Sequence, residues 1–267
     1  MTTSPSEIGH LLKVLEGLAL EAGTEILRVR AAHFDIKSKA DGSPVTEADQ
    51  RAENVIVSGL LAAFPDSPIV AEEMVAAGDV PRHLGDRFFL VDALDGTREF
   101  CAGREEFTVN IALVEHGVPV AGIVYAPALG AMFAGGAGNA HRSKAFEGGG
   151  LSDPKPLKAR PAASPETILA TRSHMTPETK FYLDGCTGAN LRSIGSSLKF
   201  CLLAAGEADV YPRFGTTMEW DTAAGDAILR AAGGRTETLD GKPLIYGKRG
   251  QAGMADFQNP HFVSRGA

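Results

Sequence analysis

Apolar residues recur every three or four positions in two stretches of the chain, which is the spacing of one buried helical face. The first stretch follows Ser4, Pro5 and Glu7, a capping sequence with proline at the first helical position. A second helix is predicted to begin at Thr46 and to place Asp49 in its first turn, where the helix dipole favours a negative charge. The apolar positions of the two predicted helices are Ile8, Leu11, Leu12, Leu15, Leu18, Ala22 and Ile26, then Ala52, Val55, Ile56 and Leu60.

Short apolar runs elsewhere predict strands. Two of them, Thr108 to Val114 and Val118 to Tyr125, flank E115-H-G117 and are expected to form a hairpin. The remaining predicted strands are Ile69 to Ala71, Phe88 to Val91, Met132 to Ala134, Ile168 to Thr171, Leu191 to Ile194 and Val210 to Tyr211, and later helices are predicted from about Pro177, from Ser196 to Ala205 and from Asp221. This alternation predicts a mixed α/β (α+β) fold built from layers of helix and sheet.

Glycine and proline mark the connections between these elements. Residues 147–166, which begin EGGGLSDPKP, are predicted to connect an N-terminal subdomain at 1–146 to a C-terminal subdomain at 167–267. The glycines of G135-G-A-G138 fit neither a dinucleotide-binding motif nor a P-loop, so they are predicted to be turn glycines.

Composition and charge exclude several classes of protein. The 267 residues are 44% hydrophobic and 22% charged, and no apolar run approaches the roughly 20 residues that an integral membrane helix needs. The N-terminus lacks the features of a signal peptide, so we expect a cytoplasmic protein and leave peripheral attachment to the inner membrane open. Cys101, Cys186 and Cys201 are too widely spaced for a zinc or redox motif and are expected to be buried thiols. A net charge of −7 disfavours binding of nucleic acid, but it leaves an anionic small molecule possible if a cation reverses the local field.

Five carboxylates stand in short motifs and suggest chemistry. They are Asp49 in S43-P-V-T-E-A-D49, Glu72 in A71-E-E73, Asp92 and Asp95 in D92-A-L-D-G-T97, and Asp221 in W220-D-T-A-A-G225. Any one of these acids alone is usually a solvated surface residue, and Asp-Gly is a common turn pair. Gathered in one pocket, however, carboxylates raise one another's pKa unless a cation neutralises them, and a set of oxygen ligands suits Mg²⁺.

The D92-A-L-D-G-T97 motif combines an acid pair with a predicted helix start. Residues three apart on a continuing strand face opposite sides, so the chain is expected to turn at Ala93-Leu94 for Asp92 and Asp95 to meet one metal cluster. A helix beginning after Gly96 would offer backbone N–H groups to a phosphate. Thr97 is expected to cap that helix, to position an attacking water, or both.

These motifs, in this order, resemble the inositol monophosphatase superfamily of Mg²⁺-dependent, lithium-sensitive phosphatases. The resemblance runs from about Lys39 to about Arg230. Two longer segments are similar to the bacterial 3′(2′),5′-bisphosphate nucleotidases of sulfur assimilation: T97-R-E-F-C-A-G-R-E-E-F-T-V-N-I-A-L113, and S193-I-G-S-S-L-K-F-C201 with Y211-P-R-F-G215. The resemblance implies a layered α-β-α-β-α sandwich of the sugar-phosphatase type, with the active site between two subdomains.

The resemblance also implies roles for the carboxylates. Glu72, Asp92, the Leu94 carbonyl, Asp95 and Asp221 are expected to hold two or three Mg²⁺ ions. Asp49 and Thr97, together with Glu72, are expected to orient and deprotonate the attacking water. The implied reaction is hydrolysis of the 3′-phosphate of adenosine 3′,5′-bisphosphate, which gives AMP and phosphate by two-metal activation of water.

Substrate binding is assigned by the same resemblance to Gly96, Thr97, His174, Ser196, Lys199, Arg213 and Asp221. Lysine and arginine can pair with a second phosphate, and a hydroxyl can donate to it. Taken without the resemblance, Lys199 and Arg213 are better explained as solvated charges and His174 as a loop residue. The partner is then a small phosphorylated nucleotide, and the protein itself is either a monomer or a homodimer.

Three alternatives remain open at this point. A phosphatase of inositol phosphate or a sugar phosphate would use the same acids. A non-catalytic ligand-binding relative would lack one of them, and none is missing. A serine hydrolase is suggested only by Ser196-Ser197, without a G-x-S-x-G motif and at a predicted helix start where capping explains both residues.

Ala93 stands where the family usually has proline, and we expect this to loosen the metal-free loop rather than abolish activity.

Overall fold

A computed structural model describes residues 3–39, 42–146, 148–171 and 175–267. The helices in these residues are α1 (Pro5–Ala31), α2 (Glu47–Ala63), α3 (Glu72–Ala76), α4 (Thr97–Cys101), α5 (Pro177–Gly185), α6 (Leu198–Ala204) and α7 (Glu219–Ala231). The strands are β1 (Lys37–Ser38), β2 (Pro44–Val45), β3 (Ile69–Ala71), β4 (Arg87–Asp95), β5 (Thr108–Glu115), β6 (Val118–Ala126), β7 (Ala131–Gly136), β8 (Asn139–Lys144), β9 (Lys155–Pro156), β10 (Thr167–Thr171), β11 (Asn190–Ile194), β12 (Val210–Arg213), β13 (Arg235–Thr238) and β14 (Phe262–Arg265).

Two large sheets form the frame. The first has the order β3-β4-β5-β6-β7-β8-β9, and it is antiparallel except for the parallel pair β3 and β4. The second has the order β11-β10-β12-β14-β13, and a separate two-stranded sheet joins β1 to β2. The predicted hairpin is confirmed as β5 and β6, which are joined at His116 and Gly117, both with positive φ. That conformation is the one that two-residue hairpin turns favour.

Helices cover both faces of the larger sheet. α1 and α2 pack on one face, while α6 and α7 lie on the other and also contact the smaller sheet. Consecutive residues of β5 show this, because Ile111 is buried among the residues of α1 and α2, whereas Ala112 is buried among those of α6 and α7. α5 packs against the smaller sheet, where the ring of Tyr182 lies 5.3 Å from that of Phe214. The predicted layered α/β sandwich is confirmed.

The predicted caps of the first two helices are also confirmed. Ser4 and Glu7 form a capping box at α1, and Thr46 and Asp49 form another at α2. A box of this kind satisfies two backbone N–H groups that would otherwise have no partner at the helix start. The second box also fixes the buried carboxylate of Asp49 in the first turn of α2.

The predicted connection at 147–166 is only partly irregular. Its first residue, Glu147, lies outside the described residues, while Lys155–Pro156 adds a short edge strand to the larger sheet and Leu151 pairs with Ala145. One hydrophobic core contains residues from both sides of this connection, including Val70 and Phe262. The division into subdomains at 146 and 167 stays a prediction.

The expectation of three buried thiols is wrong for two of them. Cys201 is buried, but Cys101 and Cys186 are partly exposed, and all three are free. Desolvation raises the pKa of each thiol, which disfavours the reactive thiolate.

The prediction of turn glycines at 135–138 is wrong for the first two. Gly135 and Gly136 lie within β7, and a Cβ on Gly135 would come 2.6 Å from the Cα of Ile228 in α7. Gly122 on the neighbouring strand is closer still, since a Cβ there would lie 2.4 Å from the carbonyl oxygen of Ala224. Because Gly122 and Gly135 have no side chain, the backbone of α7 packs directly against β6 and β7. This packing positions α7, whose first turn contains Asp221.

We expect Gly122→Ala to destabilise the fold by about 1–3 kcal/mol or more, the usual cost of overpacking. The clash is with backbone, so no side-chain rotation relieves it. Gly17→Ala is the matched control, because Gly17 lies inside α1 with no atom within 4 Å of the added Cβ. That change should stabilise by up to about 1 kcal/mol through helix propensity. Urea unfolding of both variants measures the difference, and equal stability would contradict close packing at Gly122.

Candidate active site

Three carboxylates meet where β3, β4 and α7 come together. Glu72 begins α3 directly after β3, Asp92 lies on β4, and Asp221 lies in the first turn of α7. One carboxylate oxygen from each residue lies within 4.8 Å of the others. Burial, together with the charges of neighbouring acids, raises the pKa of Asp92 and Asp221 well above the usual range and also raises that of Glu72. The cluster is therefore costly when ionised, and its oxygen-only donor set fits a hard cation.

Asp95 lies beside this set. Its carboxylate repels those of Glu72 and Asp221. Its Oδ2 accepts a hydrogen bond from the backbone N–H of Ser197 at 2.6 Å and lies 2.9 Å from the Ser197 hydroxyl oxygen. The structure thus brings a fourth predicted acid to the same cleft. Its role as a metal ligand remains a prediction.

A β-bulge places Asp92 and Asp95 on one side of the sheet. Asp92 pairs with Asn110 and Asp95 pairs with Thr108, so β4 spans this interval with one residue more than β5. The extra residue reverses the alternation of side chains, which brings residues three apart to the same face. The expected turn at Ala93-Leu94 is wrong, because β4 continues to Asp95 and a bulge within the strand brings the two acids to one side instead.

Asp49 and Thr97 form a hydrogen-bonded pair next to the cluster. The buried Asp49 carboxylate accepts from the backbone and the hydroxyl of Thr46 at 2.7 and 2.8 Å, and its Oδ1 lies 3.0 Å from Thr97 Oγ1. Thr97 Oγ1 is also 3.1 Å from the Leu94 carbonyl oxygen. Burial raises the pKa of Asp49, so it accepts a proton more readily than a solvated aspartate does.

The predicted helix after Gly96 is confirmed as α4. Gly96 stands at its N-cap with φ of 92°, and an added Cβ would lie 3.1 Å from the carbonyl oxygen of Glu106. Glycine is required there by both the left-handed backbone and the close approach. Gly96 and Thr97 line the same cleft as the acids.

Basic and polar side chains line the other side of the cleft, which has a volume of about 240 Å³. Lys199 is buried on α6, and its Nζ donates to the Ser196 carbonyl at 2.5 Å. Arg213 ends β12, with Nη2 donating to the Thr216 carbonyl at 2.7 Å. Ser196 has φ of 48°, and its buried Oγ and the Nε of Arg213 have no hydrogen-bond partner among the described residues. The predicted Ser196, Lys199 and Arg213 are thus neighbours of the acids, while His174 lies outside the described residues.

Ser197 occupies the N-cap position of α6, as the predicted helix start implies, but the expectation that the hydroxyls of Ser196 and Ser197 cap this helix is wrong. α6 begins at Leu198, and neither hydroxyl binds its first backbone N–H groups. Ser197 instead binds Asp95, which lies 102 residues earlier in the chain. Local spacing favoured the cap because serine is common there, whereas the observed partner is a tertiary one.

Sequence reasoning also missed two residues around Glu72. Lys39 Nζ is 2.6 Å from Glu72 Oε1 and 2.5 Å from Glu73 Oε1. Burial alone would lower the pKa of Lys39, but the two carboxylates raise it above the usual range. The buried Glu53 accepts the backbone N–H groups of Glu73 and Met74 at 2.8 and 2.9 Å, which fixes the start of α3. Lys39 lies four positions before Ser43, where the first motif begins, and this proximity is the only sequence signal for it.

A layered sandwich with an acidic cleft at strand ends defines the sugar-phosphatase type of fold with a candidate metal site. A model of the inositol monophosphatase family matches residues 8–261. The 3′(2′),5′-bisphosphate nucleotidase CysQ of Escherichia coli strain K12 is 44% identical over 247 residues, which are 92% of this chain and 95% of that protein. The chain belongs to the inositol monophosphatase family, as its four motifs predicted.

Solved structures agree with this assignment. The crystal structure of CysQ from Bacteroides thetaiotaomicron has a TM-score of 0.77 and 36% identity, covering 95% of this chain and 97% of that one. The IMPase of Thermotoga maritima has a TM-score of 0.76 and 25% identity, covering 96% and 92% of the two chains. The fold is therefore common to both groups, while sequence identity is higher to the nucleotidases. No helix in the described residues is both long and apolar enough to span a bilayer.

Proposed function

We propose that this protein hydrolyses the 3′-phosphate of adenosine 3′,5′-bisphosphate, giving AMP and phosphate, in a reaction that depends on Mg²⁺. The observation that carries the proposal is the pairing, in one cleft, of a carboxylate cluster with the buried cations Lys199 and Arg213. The acids suit metal ions at the phosphate that is cleaved. The cations suit a second anionic group on the same substrate, which inositol 1-phosphate lacks.

Glu72, Asp92, Asp95, Asp221 and the carbonyl of Leu94 would hold the Mg²⁺ ions. When bound, Mg²⁺ would lower the pKa of the attacking water and stabilise charge on the transferred phosphoryl group. The three clustered carboxylates are close enough to share cations, and their raised pKa values indicate that a positive charge would be stabilised among them.

Thr97 and Asp49 would orient the attacking water and accept its proton. The Thr97 hydroxyl can donate its proton to Asp49 Oδ1, which leaves a lone pair of Oγ1 facing a water in the cleft. The two hydrogen bonds from Thr46 hold Asp49 in place while it acts through Thr97. Glu72 would orient the same water from the side of the cluster.

A comparison of substrates tests this proposal. We expect phosphate release from adenosine 3′,5′-bisphosphate to exceed that from inositol 1-phosphate by at least about tenfold in kcat/KM, since an additional charged hydrogen bond contributes about 1.5–3 kcal/mol. Phosphate release should be measured at fixed Mg²⁺ and again with EDTA in its place. A preference for the inositol ester would favour the alternative substrate class, and no release from any ester would favour a non-catalytic relative.

A further inference from the structure

Ser197 connects two acids that come from different parts of the chain. It is 3% exposed and immediately precedes α6. Its backbone N–H and its hydroxyl both reach Asp95 Oδ2, at 2.6 and 2.9 Å. Its hydroxyl is also 2.6 Å from the carbonyl oxygen of Asp221, and it accepts a hydrogen bond from Asn110 Nδ2 at 2.9 Å. One small side chain therefore contacts β4, β5 and α7.

The hydroxyl of Ser197 can donate to only one of its two neighbouring oxygen acceptors. A serine hydroxyl has one proton to donate and two lone pairs to accept with, and Asn110 Nδ2 can only donate. The backbone N–H of Ser197 already binds Asp95, so the hydroxyl proton is available to the Asp221 carbonyl. Ser197 thus holds Asp95 through its backbone and the first turn of α7 through its side chain.

These contacts oppose a repulsion. Asp95 and Asp221 are carboxylates of like charge that line the same cleft, and no hydrogen bond joins them directly within the described part of the chain. Without a bridge, the two acids would gain by moving apart, and a cation would have to bring them back together. Groups that hold metal ligands in place commonly change metal affinity by about 10–100-fold when they are removed.

We infer that Ser197 is a positioning residue that sets the separation of Asp95 and Asp221 and thereby the affinity of the cleft for a second cation. This inference rests on the proposed function, since it assumes that both acids hold metal. Ser197 touches neither the substrate phosphate nor the attacking water in this assignment. It acts through Asp95 and α7.

The test is Ser197→Ala, which removes the hydroxyl and keeps the backbone N–H to Asp95. Isothermal titration of the full-length protein with MgCl₂ alone should show weaker binding at one site by about 10–100-fold. The Mg²⁺ concentration for half-maximal phosphate release should rise in parallel, while kcat at saturating Mg²⁺ and KM for the nucleotide stay near their original values. A general loss of structure would instead lower kcat at all Mg²⁺ concentrations.

Ser196→Ala is the matched control, because this neighbouring hydroxyl has no hydrogen-bond partner among the described residues. In the titration with MgCl₂ alone, which involves no substrate, it should leave Mg²⁺ affinity unchanged. If Ser197→Ala fails to fold, Asn110→Ala removes the donor to the same hydroxyl and should weaken Mg²⁺ binding in the same direction. Unchanged Mg²⁺ affinity in the folded variant would overturn the inference, whereas absence of Mg²⁺ binding by the unaltered protein would overturn the proposed function instead.

Discussion

Replacement of Asp92 by asparagine should abolish most phosphatase activity and at the same time stabilise the metal-free protein. Asp92 is 3% exposed, and its carboxylate is repelled by those of Glu72, Asp95 and Asp221. Asparagine keeps the shape and the oxygen that accepts from the Leu94 N–H at 3.0 Å, but it removes one negative charge from the metal site. A loss of about 4 kcal/mol of transition-state stabilisation corresponds to roughly a 10³-fold fall in kcat/KM.

The expected gain in stability follows from the direction of the pKa shift. Burial and like charges raise the pKa of Asp92 in the folded state, so the favourable contribution of the protonated form is present below its unfolded value near 4 and is lost as pH rises. At pH 7 the ionised carboxylate therefore destabilises the metal-free fold, and the neutral asparagine relieves this. For a domain of this size, each 1 kcal/mol gained raises Tm by roughly 2–4 °C.

Thermal unfolding in EDTA and phosphate release in Mg²⁺ measure the two effects separately. Asp66→Asn serves as a control, because Asp66 is an exposed acid outside the cleft and should change neither quantity. A lower Tm together with lost activity would indicate that Asp92 is needed for folding rather than for holding metal. Retained activity would contradict the assignment of Asp92 as a metal ligand.

The sequence predicted most elements whose signal is local. The periodicity of α1 and α2, their capping boxes and the β5–β6 hairpin depend on neighbours within a few residues, and all are present. β13 and β14 were not predicted, because each is four residues long and is stabilised by pairing between Thr236 and Ser264, far apart in the chain. Such pairing depends on tertiary context that a local pattern does not contain.

In the site too, local motifs identify individual residues, whereas contacts between distant segments decide their arrangement. The motifs identified the acids, but the bulge that turns Asp92 and Asp95 to one face is a relation between two strands. Gly135 was assigned to a turn because glycine is common there, whereas its place in β7 is decided by the approach of α7. The hydrogen bond from the backbone N–H of Ser197 to Asp95 joins residues 102 positions apart, and no local sequence pattern indicates such a contact.

The second large effect is expected at Lys199, and it concerns the choice of substrate. Lys199→Met should lower kcat/KM for adenosine 3′,5′-bisphosphate by about 10–100-fold, because a charged hydrogen bond contributes about 1.5–3 kcal/mol. Adenosine 3′-phosphate, which lacks the second phosphate, should be hydrolysed by the variant and the unaltered protein at similar kcat/KM. Methionine preserves the approximate length and apolar stem of the side chain, but it removes the ammonium that lies 5.2 Å from the centre of the Tyr211 ring.

The dependence on pH provides an independent test of the same residue. Burial lowers the pKa of Lys199 to about 8. The cationic form that binds phosphate is therefore present below that pH and is lost above it. Because kcat/KM reports ionisations of the free protein, it should fall above pH 8 for the bisphosphate and level off about 10–100-fold lower, near the value for Lys199→Met. This fall in kcat/KM above pH 8 should be absent both in Lys199→Met and with adenosine 3′-phosphate.

If Lys199→Met lowers kcat/KM equally for the two nucleotides, Lys199 supports the loop at Ser196 rather than recognising the second phosphate. Substrate selection would then depend on Arg213.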